Sequence, residues 1–370
     1  MKKITLVLLL LALIASFSFA QGKGLIGIAM PETHVQRWIK DGEALKTNAI
    51  KLGYTAEVNW ANADQAIQNA IIGAYVTKGA KALIVGSIND GVGRAVQDAK
   101  KKKIPVLAYD RIIQNSADYD YFITFNNKNV GQLQGEAIVK ALGLATYTDT
   151  SKPKNITLFA GSATDGNAFF FFDGAIEVLN PYIDKGVLKV VGPYPKSSAD
   201  KSTFLQIATE NWQADIAKRR MEGLLVGDAK SVTLDAILAP NDPIARAVIE
   251  ACKADAKYRG KLPVVTGQDA EFASVMSIKN GEQYMTIFKD TNKLAEAAVI
   301  LIDQIIRGEK NIKVPGAVVA ADVGLAAIGA TGKKTVTVYL LQVQSITRDN
   351  INIPADAGFY PDAEAAQIKR

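Results

Sequence analysis

Acidic, basic and amide side chains recur in this chain just after short apolar runs. The run Ile104-Pro105-Val106-Leu107-Ala108-Tyr109 leads into Asp110-Arg111, and a loose copy, Leu262-Pro263-Val264-Val265-Thr266-Gly267-Gln268, leads into Asp269. Upstream, Lys81-Ala82-Leu83-Ile84-Val85 precedes Asn89-Asp90, much as Asp235-Ala236-Ile237-Leu238 precedes Asn241-Asp242. Arg37-Trp38, Asp165-Gly166-Asn167 and Lys289 occupy comparable places. The set combines ionised acceptors, ionised donors and amides that do both. A sugar hydroxyl offers one donor and two acceptor positions. Carboxylates on one side and arginine, lysine or asparagine on the other satisfy it with charge-assisted hydrogen bonds, which are the stronger kind. Trp38 and Trp212, two of the three tryptophans, suit stacking on the apolar face of a pyranose ring.

Each of these residues also has a plainer use. Asp110-Arg111 fits a local ion pair or a turn. Asp165 and Asn167 fit a helix cap, and so does Asn241-Asp242, with Pro243 at the first helical position. The tryptophans fit a core. Their joint occurrence at strand ends in two matching halves favours a binding site.

Other chemistry is poorly represented. Gly91-Val92-Gly93 lacks the third glycine of a dinucleotide fingerprint, and Gly332-Lys333 lacks the rest of a phosphate loop. There is no Gly-x-Ser-x-Gly elbow. His34 is the single histidine, so the usual proton shuttle at neutral pH is nearly absent. Cys252 is the single cysteine; it lies in an apolar helical pattern with Ala245, Val248 and Ile249 and reads as a buried inert thiol. These features weigh against hydrolytic or transfer chemistry, and no cofactor or metal site is expected.

The elements that must position the site alternate. Strands are expected at 25–29, 55–59, 82–85 and 104–108, with helices between them. The first helix, 38–52, has an inner face of Ile39, Gly42, Leu45, Ala49 and Leu52; Ile67, Ala70, Ile71 and Ala74 mark the second, and Val92, Ala95, Val96 and Ala99 the third. Apolar runs bounded by turn residues read as strands buried on both faces of a parallel sheet. In such sheets ligands bind beyond the carboxyl ends of the strands. The second half repeats the theme, with strands at 156–160, 188–191, 236–238, 264–266 and 284–288 and helices near 167–179, 214–225, 243–254 and 292–306. One more strand is expected near 335–341. Phe169 to Phe172 point all round a helix, so one or two of them suit a cleft lining. The lysine run 100–103 falls at a helix end, where cations complement the exposed carbonyls.

The chain has 370 residues, 48% of them hydrophobic, enough for two domains. The first 20 residues read as a secretory signal: Lys2 and Lys3, an apolar stretch from Leu6 to Ile14, and small residues Ser18 and Ala20 before cleavage. The formal charge is +6, about +4 once the leader is removed. That mild excess is scattered, which argues against nucleic acid. No later segment reaches the ~18 apolar residues of a membrane span. A soluble exported protein, in a bacterial periplasm, is expected.

Several motifs in fixed order carry a family resemblance. Gly27-Ile28-Ala29-Met30-Pro31 with Arg37-Trp38, Ala108-Tyr109-Asp110-Arg111, Asp165-Gly166-Asn167-Ala168-Phe169-Phe170-Phe171, Gly267-Gln268-Asp269-Ala270-Glu271, Gly281-Glu282-Gln283-Tyr284 and Phe288-Lys289-Asp290 resemble bacterial periplasmic sugar-binding proteins. The match is to the xylose-binding and ChvE-like multiple-monosaccharide-binding branch, from about Lys23 to the C-terminus. The resemblance implies an α/β fold of two Rossmann-like doubly wound lobes joined by a three-segment hinge that closes on a sugar. The expected lobes are 21–125 with 288–342, and 126–287 with 343–370. By motif, Arg37, Trp38, Asp110, Arg111, Asp165, Asn167, Trp212, Asn241, Asp269 and Lys289 would line the cleft. Asp110 and Asp269 would be opposing acceptors, with Arg111 and Lys289 as their cationic complements. The implied partners are a monosaccharide such as xylose, glucose, galactose or arabinose, an ABC transporter permease, and a chemoreceptor or sensor-kinase periplasmic domain; the protein would be a monomer and not an enzyme. One departure is Gly166, where the family often has asparagine. It leaves open a change in hydroxyl discrimination or merely a looser helix start. Residues 196–211 also depart, so only Trp212 carries over there.

Overall fold

The computed structural model describes residues 22–113, 116, 118–320 and 336–369; the proposed leader and Gly332-Lys333 lie outside them. In the first half, β1 (Leu25–Met30), β2 (Thr55–Trp60), β3 (Ala82–Val85), β4 (Val106–Tyr109) and β5 (Tyr121–Phe125) are all parallel, with helices Arg37–Lys51, Gln65–Thr77 and Gly93–Lys101 between the first four. β3 and β4 are buried at every position, as continuous apolar runs require when helices cover both faces.

In the second half, β6 (Lys154–Leu158), β7 (Leu188–Val190), β8 (Ala236–Leu238) and β9 (Val264–Val265) form a smaller parallel sheet. β10 (Thr286–Phe288) follows, then β11 (Ala317–Ala320), β12 (Thr337–Leu341) and β13 (Gln344–Ile346). β11 and β12 return to the first sheet, giving the order β11-β12-β5-β4-β3-β1-β2. The second has the order β7-β6-β8-β9, and β13 pairs antiparallel with β10. The two orders match strand for strand over β2-β1-β3-β4 and β7-β6-β8-β9, so the echo noticed between the halves is also an echo of topology.

The chain passes between the two lobes three times. After β5, the helix Asn127–Ala141 packs on Gly166–Asp184 of the second lobe; after β10, the helix Thr291–Ile306 packs back on Arg37–Lys51 of the first; and β12 leads directly into β13. No helix among the described residues is long and apolar enough to cross a membrane.

Two helix faces differ from expectation. The helix Arg37–Lys51 buries Arg37, Trp38, Asp41, Gly42, Leu45 and Ala49, while Ile39 is 41% exposed. Its inward face is turned because a buried ion pair, Arg37–Asp41, occupies part of it; apolar spacing alone does not report that. The helix Gln65–Thr77 buries Gln68, Ile72 and Tyr75 and leaves Ile67 exposed. Gln68 is admitted because its amide donates to the Gly86 carbonyl and accepts from the Ile88 amide. The run Tyr121–Phe125, a strand missed by the sequence reading, is an interior strand between β12 and β4.

Candidate functional site

All ten residues singled out in the sequence line one space between the lobes, with Val35, Phe171 and Gln268. The room free inside it is only about 20 Å³, far below the roughly 300 Å³ at which small-molecule sites begin, because side chains of the two lobes meet across it. A wider recess of about 650 Å³ lies beside the crossings, lined in part by Phe125, Lys293 and Gln344, and none of the ten reaches it. Volume is therefore not what marks the first space; the convergence of buried charge is.

Asp110 follows β4 and Asp269 follows β9, and both adopt left-handed backbone, φ 60° and 95°. Non-glycine residues rarely hold that conformation, at a cost of about 1–3 kcal/mol, and it concentrates at functional sites. The Asp110 amide donates to the Ile123 carbonyl at 2.8 Å and the Asp269 amide to Ile287 at 2.8 Å. Each carboxylate is thus aimed across the cleft by the same turn, hooked to the same kind of neighbouring strand.

The charge partners are not those expected for Asp110. Its cation is Arg37, whose Nη2 lies 2.8 Å from Asp110 and 2.7 Å from Asp41, with Nη1 3.7 Å from Asp269 on the other lobe. Lys289 does complement Asp269, at 2.9 Å. Arg111 instead crosses the cleft to Asp165 at 2.8 Å and holds Glu32 at 3.0 Å. Being adjacent in sequence, Asp110 and Arg111 are splayed by the left-handed turn, so each finds a more distant partner.

Burial acts to raise the Asp110 carboxyl, but Arg37 and Lys289 outweigh it and hold the group below the ordinary aspartate range. At Asp165 burial wins over Arg111, and the carboxyl is raised. Arg37 is held well above the usual arginine range: burial opposes its charge, but Asp110, Asp41 and Asp269 prevail. Every cation in the lining has a carboxylate beside it, so the site has no spare positive charge for an anionic ligand.

The amides serve two roles at once. Asn167 Nδ2 donates across the cleft to the Asp110 carbonyl at 2.9 Å, while its Oδ1 accepts from Asn127 at 2.8 Å. Asp165 caps the helix Gly166–Asp184 by accepting from the Asn167 amide, and Asn241 caps Asp242–Ala254 by accepting from Ile244. The capping uses weighed above are real, and they fix residues that also line the cleft. Trp212 turns its indole N–H to Asp165 at 3.2 Å and stands edge-on to Phe171. A side chain at Gly161 would collide with the Trp212 ring, so that position requires glycine. Trp38 is packed beneath the guanidinium groups of Arg37 and Arg111, 4.8 and 4.9 Å from its ring centre, a cation–π arrangement. Of the four consecutive phenylalanines, Phe171 lines the space and Phe169 and Phe172 pack on Phe204.

Sequence reading missed Glu32, Asp41, Asn127 and Gln268. Asp41 was open to detection as the i+4 partner of Arg37; Glu32, beyond the end of β1, carried no periodic signal. Arg37 Nε and Gln268 Oε1 are buried polar atoms with no protein hydrogen bond, which in a native interior calls for a partner of another kind.

Comparison with known proteins places this geometry. The family pattern described as "Periplasmic binding protein domain" matches residues 26–310. The chain belongs to the periplasmic binding protein family. It is 38% identical over 363 residues to the multiple sugar-binding periplasmic receptor ChvE of Rhizobium radiobacter, covering 97% of this chain and 96% of that one. It is 33% identical to the D-xylose-binding periplasmic protein of Escherichia coli, covering 77% and 78%. Among solved structures, an ABC transporter solute-binding protein from Clostridium phytofermentans with bound β-D-glucose superposes with a TM-score of 0.81 at 35% identity, covering 92% of this chain and 99% of that one. The resemblance drawn from the motifs and the two-lobed fold it implied are both confirmed, and the relatives are periplasmic receptors and transport proteins, not enzymes.

Proposed function

We propose that this chain is the periplasmic receptor of a monosaccharide importer, binding a neutral aldopyranose between lobes spanning 21–125 with 288–342 and 126–287 with 343–370. The observation that carries the reading is the convergence of ten strand-end and loop residues from both lobes on one buried, charge-balanced space. Asp110 and Asp269 accept hydroxyl protons, Arg37, Arg111 and Lys289 donate, and Asn167 and Asn241 do both. Trp212 and Trp38 bound the ring. No bond is made or broken. Because each cation is already neutralised, uronates and sugar phosphates are rejected, since their charge would be desolvated without a partner. The names of the relatives, which include multiple-sugar, xylose and glucose binders, support an aldose without selecting one.

The first 20 residues act as a cleaved export signal, the receptor works as a monomer, and it delivers its cargo to an ABC permease. The sugar-loaded form also suits docking to a chemoreceptor or sensor-kinase domain, testable by capture of such ectodomains only when sugar is present. The primary test is a titration of the mature protein with D-xylose, D-glucose, D-galactose, L-arabinose and D-glucuronate, read by tryptophan fluorescence and calorimetry. At least one neutral aldose binds and the uronate does not. Failure of all four neutral sugars, or tighter binding of glucuronate, overturns the reading.

A further inference from the structure

His34 lies at the mouth of the cleft, in the loop between β1 and the helix Arg37–Lys51. Its Nε2 is 2.9 Å from Glu32 Oε2 and 2.9 Å from the backbone carbonyl of Asn211 on the opposite lobe. Both neighbours are acceptors, so Nε2 must carry hydrogen whether the ring is neutral or cationic. Glu32 is buried and its other oxygen holds Arg111 at 3.0 Å. Arg111 holds Asp165, and Asp165 accepts from the Trp212 indole. Trp212 follows Asn211 directly. The contacts therefore close a ring that crosses the cleft twice, at Arg111–Asp165 and at His34–Asn211.

The turn that His34 engages is not self-sustaining. Asn211 and Trp212 both have left-handed backbone, φ 49° and 60°. Two consecutive non-glycine residues in that region persist only where surroundings hold them. On the second lobe the Asn211 amide donates to Ser162 at 3.3 Å and the Trp212 amide to Thr209 at 3.0 Å. On the first lobe the holding contact is His34.

Resting on the sugar-site reading, we propose that His34 is a positioning residue for the cleft: its Nε2–H ties Glu32 to the Asn211 carbonyl, seats Trp212 over the ligand space and makes closure on sugar proton-linked. The charged groups facing the ring are Glu32 from its own loop and, behind it, Arg111 from the turn after β4; the second lobe presents the Asn211 carbonyl. The Glu32 hydrogen bond raises the proton affinity of the ring, burial opposes this, and the Asn211 carbonyl adds to it. Burial works to raise the Glu32 carboxyl as well, but His34 and Arg111 prevail and keep it ionised. Opening the cleft removes the Asn211 contact, which a cationic ring makes more strongly than a neutral one. Because the ring stays 40% exposed in the closed form, closure adds this acceptor while leaving the ring in reach of water, and the closed form binds the proton more tightly. The contribution to affinity is complete below the open-form pKa of the ring and is lost as pH rises through the closed-form value, which lies above the reference value of 6.5.

The test is titration with D-glucose, D-xylose, D-galactose and L-arabinose from pH ~6 to ~9, alongside calorimetry in buffers of different ionisation heat. Wild-type affinity weakens roughly 2- to 10-fold across that range, and sugar binding takes up a fraction of a proton. His34→Ala abolishes the pH slope and the proton uptake and weakens binding. His34→Gln, which keeps an amide donor near the Nε2 position, loses the slope but recovers part of the affinity. The His34 side chain is 40% exposed, so both variants fold, and a melting curve confirms it. Sugar binding with a flat pH profile, or the same slope in His34→Gln, overturns the proposal and leaves the sugar site standing. Absence of binding to all four neutral sugars at every pH removes the sugar reading and this proposal together.

Discussion

The turn at Asp110 and the turn at Asp269 have the same left-handed backbone and the same amide hook to the neighbouring strand, but different supports. Behind Asp110 stands a continuous sheet, since β4 pairs with β5 and β5 with β12. Thr124 donates to the Asp110 carbonyl, and Asn167 reaches the same carbonyl from the other lobe. Behind Asp269 the sheet is interrupted after β9. There the turn is held by side chains: Thr286 accepts from the Ala270 amide, Asp242 accepts from the Glu271 amide, and Tyr360, from the C-terminal segment, donates to the Ala270 carbonyl. A side chain at Gly267 would strike Asp242 and Gln283, so the supporting carboxylate is packed tightly under the strand end. One aspartate is aimed by a sheet and the other by a polar scaffold, and Arg37 is the group both share.

Removing the shared group produces the largest effect. Arg37→Met leaves Asp41 and Asp110 buried without their cation. Loss of one partner of a buried pair costs about 3–5 kcal/mol. Sugar affinity falls at least ~100-fold and stability to urea falls with it. A variant that loses binding with no loss of stability would show that the two turns are not coupled through Arg37.

Single charge removal at each turn separates the supports. Asp110→Asn and Asp269→Asn each weaken sugar binding about 10- to 100-fold, the range for a charge-assisted hydrogen bond lost at a buried site. Their acid behaviour differs. The folded-state pKa of Asp110 lies below its reference value of 3.8, so its contribution to stability is present above that pH and is lost as pH falls through the folded value. Asp110→Asn therefore lowers stability at neutral pH and flattens the loss below pH ~4. Urea midpoints at pH 3, 4 and 7 check this, and an unchanged acid slope contradicts it.

The smallest effect lies beneath the second turn. Burial first, then the nearby Glu271 carboxylate, raise the Asp242 carboxyl to about 8. Its contribution is complete below the reference value of 3.8 and is lost as pH rises through the folded value of about 8. Asp242→Asn removes that loss. The adjacent Gln283, whose Oε1 lacks a hydrogen bond, can turn its amide to receive the new donor. The melting temperature rises ~2–4 °C at pH 8 and stays unchanged at pH 4. A fall at both pH values would mean that the scaffold needs the carboxylate itself.

The strand-end residues were legible because a buried parallel strand writes itself as an apolar run, and its carboxyl end is where a polar residue first appears. Asp110, Asn241 and Asp269 follow such runs, and each lies where that rule places it. Glu32 and Gln268 were not legible: nothing in their spacing separates a buried site neighbour from a solvated side chain. The inner face of the helix Arg37–Lys51 was misread for a related reason. Apolar periodicity assumes that charge faces water, and here Arg37 and Asp41 neutralise each other inside.

By itself the sequence determined the alternation of elements, the matching of the two halves, and the residue types gathered at strand ends, because these follow from local spacing and turn chemistry. Only the tertiary structure decided who pairs with whom. Asp110 and Arg111 are neighbours in the chain, yet a left-handed turn sends one to Arg37 and the other to Glu32 on its own lobe and across the cleft to Asp165. The strength of a buried ion pair depends on distance and desolvation, and both are set by how strand-end turns and lobes pack together.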